Sequence, residues 1–221
     1  MVRINISEGK DYHTQRNNAI DPMGTCATTS MVMALLYSGV ELPDCGDRQQ
    51  EDVLTEFIRT DPRVKEAYQR DYPTEFKNGV PPNELAPMRA LGTNLWIGRE
   101  VNRFSWVSLL QDVILSIISK KACVMSGVWP YKNAQGEEKG ISHVVCVCGF
   151  ESAQEDILQA KTARDINLDL MVSMIVDDPF GDYRTGYRDQ RGNDVIVPFR
   201  DFIRITKEQG SVSRKWVHFI L

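Results

Sequence analysis

Apolar positions recur at helical spacing through the first part of the chain and at strand spacing through the last. The run "CATTSMVMALLYSG" is apolar over most of its length. Gly39 suits the left-handed residue that closes a helix, so a helix is expected from Cys26 to Ser38. Two more polar helical stretches follow, "GDRQQEDVLTEFIRT" and "DPRVKEAYQRD". In the second, Asp61 can cap and Pro62 can take the first helical position. "NGVPPNELAPMRALG" opens on turn signals and then predicts a short helix capped by Asn83. "SWVSLLQDVILSIISKK" carries the strongest amphipathic pattern. Ser105 is its expected cap, and Lys120 and Lys121 close it favourably for the helix dipole.

The pattern then changes. "ACVMSGVW", "ISHVVCVCGF", "LMVSMIVDD", "DVIVPF" and "KWVHFIL" are short β-branched or aromatic runs bounded by turn residues, and they read as strands. Helices first and strands later is an α+β signature, with helices packed on a mostly antiparallel sheet. We expect a single domain over 1–221, helical over about 26–121 and sheet over about 122–221. The polar stretch "ESAQEDILQAKTARDINLD" reads as an insertion over about 151–170, partly helical or mobile.

Charge narrows the class of partner. The 26 basic and 30 acidic residues give a net charge of −4 with no long run of either sign, which argues against nucleic acid. No apolar stretch is long enough to span a bilayer, and "MVRINISEGKDYHTQ" lacks the apolar core of a signal peptide, so a cytoplasmic protein without membrane insertion is expected. The five cysteines, an odd number and scattered, suit reduced thiols better than a disulfide framework.

Three histidines are present: His13, His143 and His218. His143 opens one strand and Asp178 closes another. An antiparallel pairing with Phe150 opposite Met171 would set His143 opposite Asp178, close enough for a carboxylate to orient an imidazole. A slip of one residue would break that pairing. Asp177 competes with Asp178, but strand parity places it on the other face. Cys26 stands where a turn meets a helix, and a helix N-terminus favours a thiolate over a thiol. A nearby imidazolium does the same and can later protonate a leaving group. Oxyanion stabilisation needs a donor near Cys26; its own backbone N–H and the Gln15 amide are the candidates.

These segments also resemble a known family. "YHTQRNNAIDPMGTCATTSMVMAL" resembles the N-terminal motif of the bacteriocin-processing (double-glycine leader) peptidase-like branch of papain-like cysteine peptidases. "SHVVCVCGFE" and "MIVDDPFGDYRTGY" resemble its His and Asp-Pro motifs. Such proteins occur in bacteria and bacteriophages, where some are cell-wall lysins (endolysins). The resemblance implies the papain-like fold, Cys26 as nucleophile, His143 as general base and acid, Asp178 as orienter and Gln15 as oxyanion amide. It implies no cofactor. The gap from Gln15 to Cys26 is longer than is usual in papain-like enzymes, so Asn17 or Asn18 stands as an alternative donor.

A cysteine-dependent hydrolase acting on peptides or peptidoglycan is therefore the expected function. A non-catalytic peptide-binding module on the same fold and an acyltransferase are the alternatives. A metal site is not expected. His143 and the pair Cys146 and Cys148 point to opposite faces of a strand. The acidic residues Asp177, Asp178, Asp182, Asp189 and Asp194 lack EF-hand spacing for calcium.

Overall fold

The computed structural model describes residues 1–76, 86–132, 135–206 and 214–221. Asn83, the expected cap of the fourth helical stretch, lies outside them. Helix α1 spans Cys26–Tyr37. It is buried nearly all round, which is why its sequence shows apolar residues without a polar stripe. Ser38 follows as the C-cap, and Gly39 sits at φ +77°, the left-handed position expected of it. Helices α2 (Gln50–Thr60) and α3 (Pro62–Asp71) follow. The Asp61 carboxylate accepts from Arg63 N at 2.9 Å, with Pro62 in the first turn as the sequence suggested. A single turn, α4 (Pro73–Phe76), leads on to α5 (Ala86–Ile97).

The strands form one antiparallel sheet in the order β2-β7-β3-β4-β5-β6, seven-stranded among the described residues with β1 added beside β4. They are β1 (Val2–Asn5), β2 (Asn102–Leu109), β3 (Cys123–Lys132), β4 (Glu138–Ser152), β5 (Met171–Asp177), β6 (Val195–Pro198) and β7 (Arg214–Ile220). All five strands expected from the pattern are present, and the α+β class with a mostly antiparallel sheet holds. The division at about residue 121 is too clean, however. β1 pairs with the far end of β4, and β2 pairs with β7.

The second correction concerns the segment from Ser105. It does not begin a helix: Asn102–Leu109 is an edge strand with a bulge between Ser105 and Ser108. Helix α6 starts only at Leu110 and ends at Ile118, with the Asp112 carboxylate accepting from Leu109 N at 3.3 Å. Short apolar runs suit either state, and pairing with β7 decides this one. Lys120 N and Lys121 N donate to Ile117 O and Ser116 O at the end of α6, while Lys121 Nζ reaches away to Ser38 O and Leu221 O.

The segment between β4 and β5 folds as three 3-10 turns, with Ile157 and Ile166 buried against the core. Helix α7 (Phe199–Ile205) follows β6. Among the described residues no helix is long and apolar enough to cross a membrane.

Candidate active site

Cys26 reaches its place through a turn that the sequence shapes closely. Gly24 N donates to Asp21 O at 2.9 Å, and a Cβ on Gly24 would come within 2.3 Å of the Asp21 carboxylate. The turn is held from behind by Asn18, whose Nδ2 donates to Thr25 Oγ1 at 2.8 Å and Thr29 Oγ1 at 3.0 Å. Asp52 on α2 accepts from Ala19 N and Ile20 N, each at 2.9 Å. Cys26 then starts α1, and Thr25 adds no side-chain cap to its first turn. Ser30 Oγ donates to Val144 O at 3.1 Å and pins the helix to β4 beside His143.

His143 is 5% exposed and Asp178 fully buried, and His143 Nε2 lies 2.6 Å from Asp178 Oδ1. The imidazole also lies near enough to Cys26 for each to shift the other's titration. The three residues thus meet, but not through the expected register. Phe150 pairs with Met174 rather than Met171, and Cys146 with Asp177, with a shift between Val147 and Gly149. Gly149 sits at that shift, where Ile4 O of β1 lies 2.4 Å from the place a Cβ would take, so only glycine fits there. Asp178 lies just beyond β5 and reaches His143 along the diagonal.

The end of β5 is anchored on every side. Asp178 N donates to Gly192 O at 2.8 Å, and Asp178 O accepts from Tyr12 Oη at 2.6 Å. A Cβ on Gly192 would sit 1.9 Å from Asp178 O, so no other residue fits without moving the Asp178 backbone. Phe180 N donates to Asp178 Oδ1 at 2.9 Å. The N-terminal segment laces onto the same loop. Thr14 Oγ1 and Gln15 N donate to Pro179 O, and Arg16 Nε donates to Phe180 O at 2.7 Å. The Arg16 guanidinium also lies 3.9 Å above the Phe180 ring.

Asp177 turns elsewhere. It accepts from Tyr37 Oη at 2.6 Å and from Asp194 N at 2.7 Å, at the opposite end of α1 from Cys26. Burial raises its carboxyl to about 6, against the lowering effect of those two donors. Of the adjacent aspartates, Asp178 is the one that meets the imidazole.

Electrostatics at Cys26 are a contest. Burial pushes the thiol up; the hydrogen bond and charge of His143, Val144 N–H and the Arg89 charge pull it down, and the net shift is downward. For His143 burial favours the neutral ring, yet Asp178 and then Cys26 raise it to about 10. Both shifts favour a thiolate beside an imidazolium.

Gln15 is buried, and its Nε2 donates to Pro22 O at 2.9 Å. A primary amide carries a second N–H, so one donor remains for another partner. Asn18 uses both of its N–H groups on Thr25 and Thr29, and Asn17 is exposed. Gln15 thus keeps a donor where Asn18 has committed both of its own.

The remaining histidines lie apart. His13 pairs with Glu51 at 3.2 Å, and His218 is buried beside Phe104 and Trp216. The acidic residues near Asp182 each hold a separate partner: Arg184 on Asp182, Arg191 on Asp189, Asn5 and Ser7 on Asp194. Among the described residues no cluster of three metal-ligating side chains occurs.

No protein-family model matches the chain, and no curated protein matches its sequence.

One residue at the site escaped sequence reasoning. The Tyr187 ring lies 6.2 Å from His143 and 5.2 Å from Phe180. Its backbone is left-handed at φ +62°, which costs a bulky residue on the order of 1–3 kcal/mol. Only the string "TGY" hints at it, since Gly186 is left-handed too.

Proposed function

We propose that the chain is a papain-like cysteine hydrolase that cleaves amide bonds in peptides or in peptidoglycan cross-bridges. The observation that carries this reading is the buried His143–Asp178 pair beside a half-buried Cys26, with the thiol lowered and the imidazole raised. Cys26 thiolate attacks the amide carbonyl carbon, and the new oxyanion is held by Cys26 N–H and the remaining Gln15 N–H. His143 gives its proton to the departing amine, leaving a thioester on Cys26. His143, now neutral, takes a proton from water as that water attacks the thioester. The acid product leaves and the ion pair reforms. Asp178 keeps the imidazole oriented throughout, as the third member of a triad does.

The test pairs zymography on peptidoglycan with a pool of internally quenched peptides. Cys26→Ala should abolish turnover on whichever substrate the wild-type chain cleaves, and should remove the adduct formed at Cys26 by iodoacetamide. Turnover that survives Cys26→Ala would refute the mechanism. Clearing of peptidoglycan without peptide cleavage would mark a lysin; the reverse would mark a processing peptidase.

A further inference from the structure

Among the described residues, Tyr187 Oη and Asp178 Oδ2 are two of the buried polar atoms at the site with no hydrogen-bond partner. One is a donor and the other an acceptor. Their residues share neighbours. Asp178 Oδ1 is held by His143 Nε2 and Phe180 N, and the Tyr187 ring stands edge-on to the rings of both those residues. The Tyr187 backbone is fixed as well. Its N–H donates to Asp182 O at 3.1 Å, and its carbonyl accepts from Arg16 at 3.4 Å.

Strain and an unmet hydroxyl thus coincide at one residue in contact with the imidazole. Glycine would relieve the backbone there, and phenylalanine would keep the packing while removing the orphaned oxygen. Neither stands in the sequence. The groups facing the phenol are Asp178, Cys26, Tyr183 and Arg16. Burial, followed by the Asp178 and Cys26 charges, raises the phenol, so it stays protonated and able to donate.

We propose that Tyr187 is a positioning residue whose hydroxyl donates to Asp178 Oδ2, through a small tilt of the carboxylate that leaves Oδ1 on His143, and keeps Asp178 turned toward His143 during turnover. The inference rests on the triad reading above. In the resting pair the imidazolium charge holds Asp178. Once His143 has passed its proton to the leaving amine, that attraction weakens while the ring must still be aimed at the thioester. A second donor on the free oxygen then takes over. Rotation about the terminal bond of an aspartate is soft, so no backbone movement is required.

Tyr187→Phe tests this. A hydroxyl that is merely buried contributes nothing favourable, so its loss should leave the melting temperature unchanged or higher. We expect kcat to fall about ten- to a hundredfold with KM unchanged, measured on the quenched-peptide pool or purified peptidoglycan. In an Asp178→Asn background the same change should cost less than about twofold, because the two residues act as one unit. A wild-type kcat in Tyr187→Phe would overturn the proposal. So would an equal fold-loss in both backgrounds, which would place the hydroxyl on the substrate instead. If the wild-type chain shows no Cys26-dependent cleavage, the hydrolase reading falls and this proposal with it. The other two outcomes leave that reading standing.

Discussion

At Cys26 burial and charge pull in opposite directions, and the neighbouring cation wins. Alkylation by iodoacetamide should therefore already be fast at neutral pH, with an inflection below the ordinary thiol value of about 8.5. His143→Ala removes the cation and leaves the burial, so the inflection should return to the ordinary value or go higher. Alkylation rates followed by mass spectrometry across pH check this; coincident profiles for the two proteins would contradict the ion pair. The residue types of this site were legible in the sequence, because a cysteine at a turn–helix junction, a strand histidine and an Asp-Pro corner each leave a local mark. Tyr187 was not legible. Its role depends on which atoms lack partners, and that is a property of packing rather than of pattern.

Helix α1 is tied to the sheet at both ends, through Cys26 to His143 and through Tyr37 to Asp177. Tyr37→Phe removes a donor from a buried carboxylate and should cost about 1–3 kcal/mol. The pH dependence has a definite sign. Asp177 is raised from 3.8 to about 6, so the folded state is penalised as pH rises through that window and relieved as pH falls through it. Losing the Tyr37 donor raises the group further, and the deficit matters most where Asp177 is ionised. Thermal unfolding at pH 8 should show a larger loss for Tyr37→Phe than at pH 5; equal losses would assign Tyr37 a packing role only. At this scale the strands after residue 121 were readable because β-branched runs and turn residues alternate cleanly. The edge strand β2 and the offset of β5 on β4 were not. An edge strand next to a helix blends into the same apolar run, and the shift beside Gly149 lies where β1, from the far end of the chain, also pairs.

Across the whole molecule the sheet order matters more than the chain order. The segment joining β4 to β5 closes on itself at its base, where Ala153 N donates to Leu170 O at 2.8 Å. Arg164 lies exposed within it, while the residues of the triad lie outside it. A cut after Arg164 would leave Cys26 and His143 on one piece and Asp178 on the other. The second piece would also carry β7, which lies between β2 and β3, and so would have to thread into the first to complete the sheet. Fragments 1–164 and 165–221 refolded together should regain fast Cys26 alkylation at neutral pH, with an extent that depends on concentration. The first fragment alone should not. Full reactivity of that fragment would show that Asp178 and β7 are dispensable for the ion pair. Because the cut separates the Asp178 carboxylate from Cys26 and makes the missing strand an interior one, the chain is suited to use as a split reporter. Each half would be silent by itself, and a signal would arise only where two tethered partners bring the halves together.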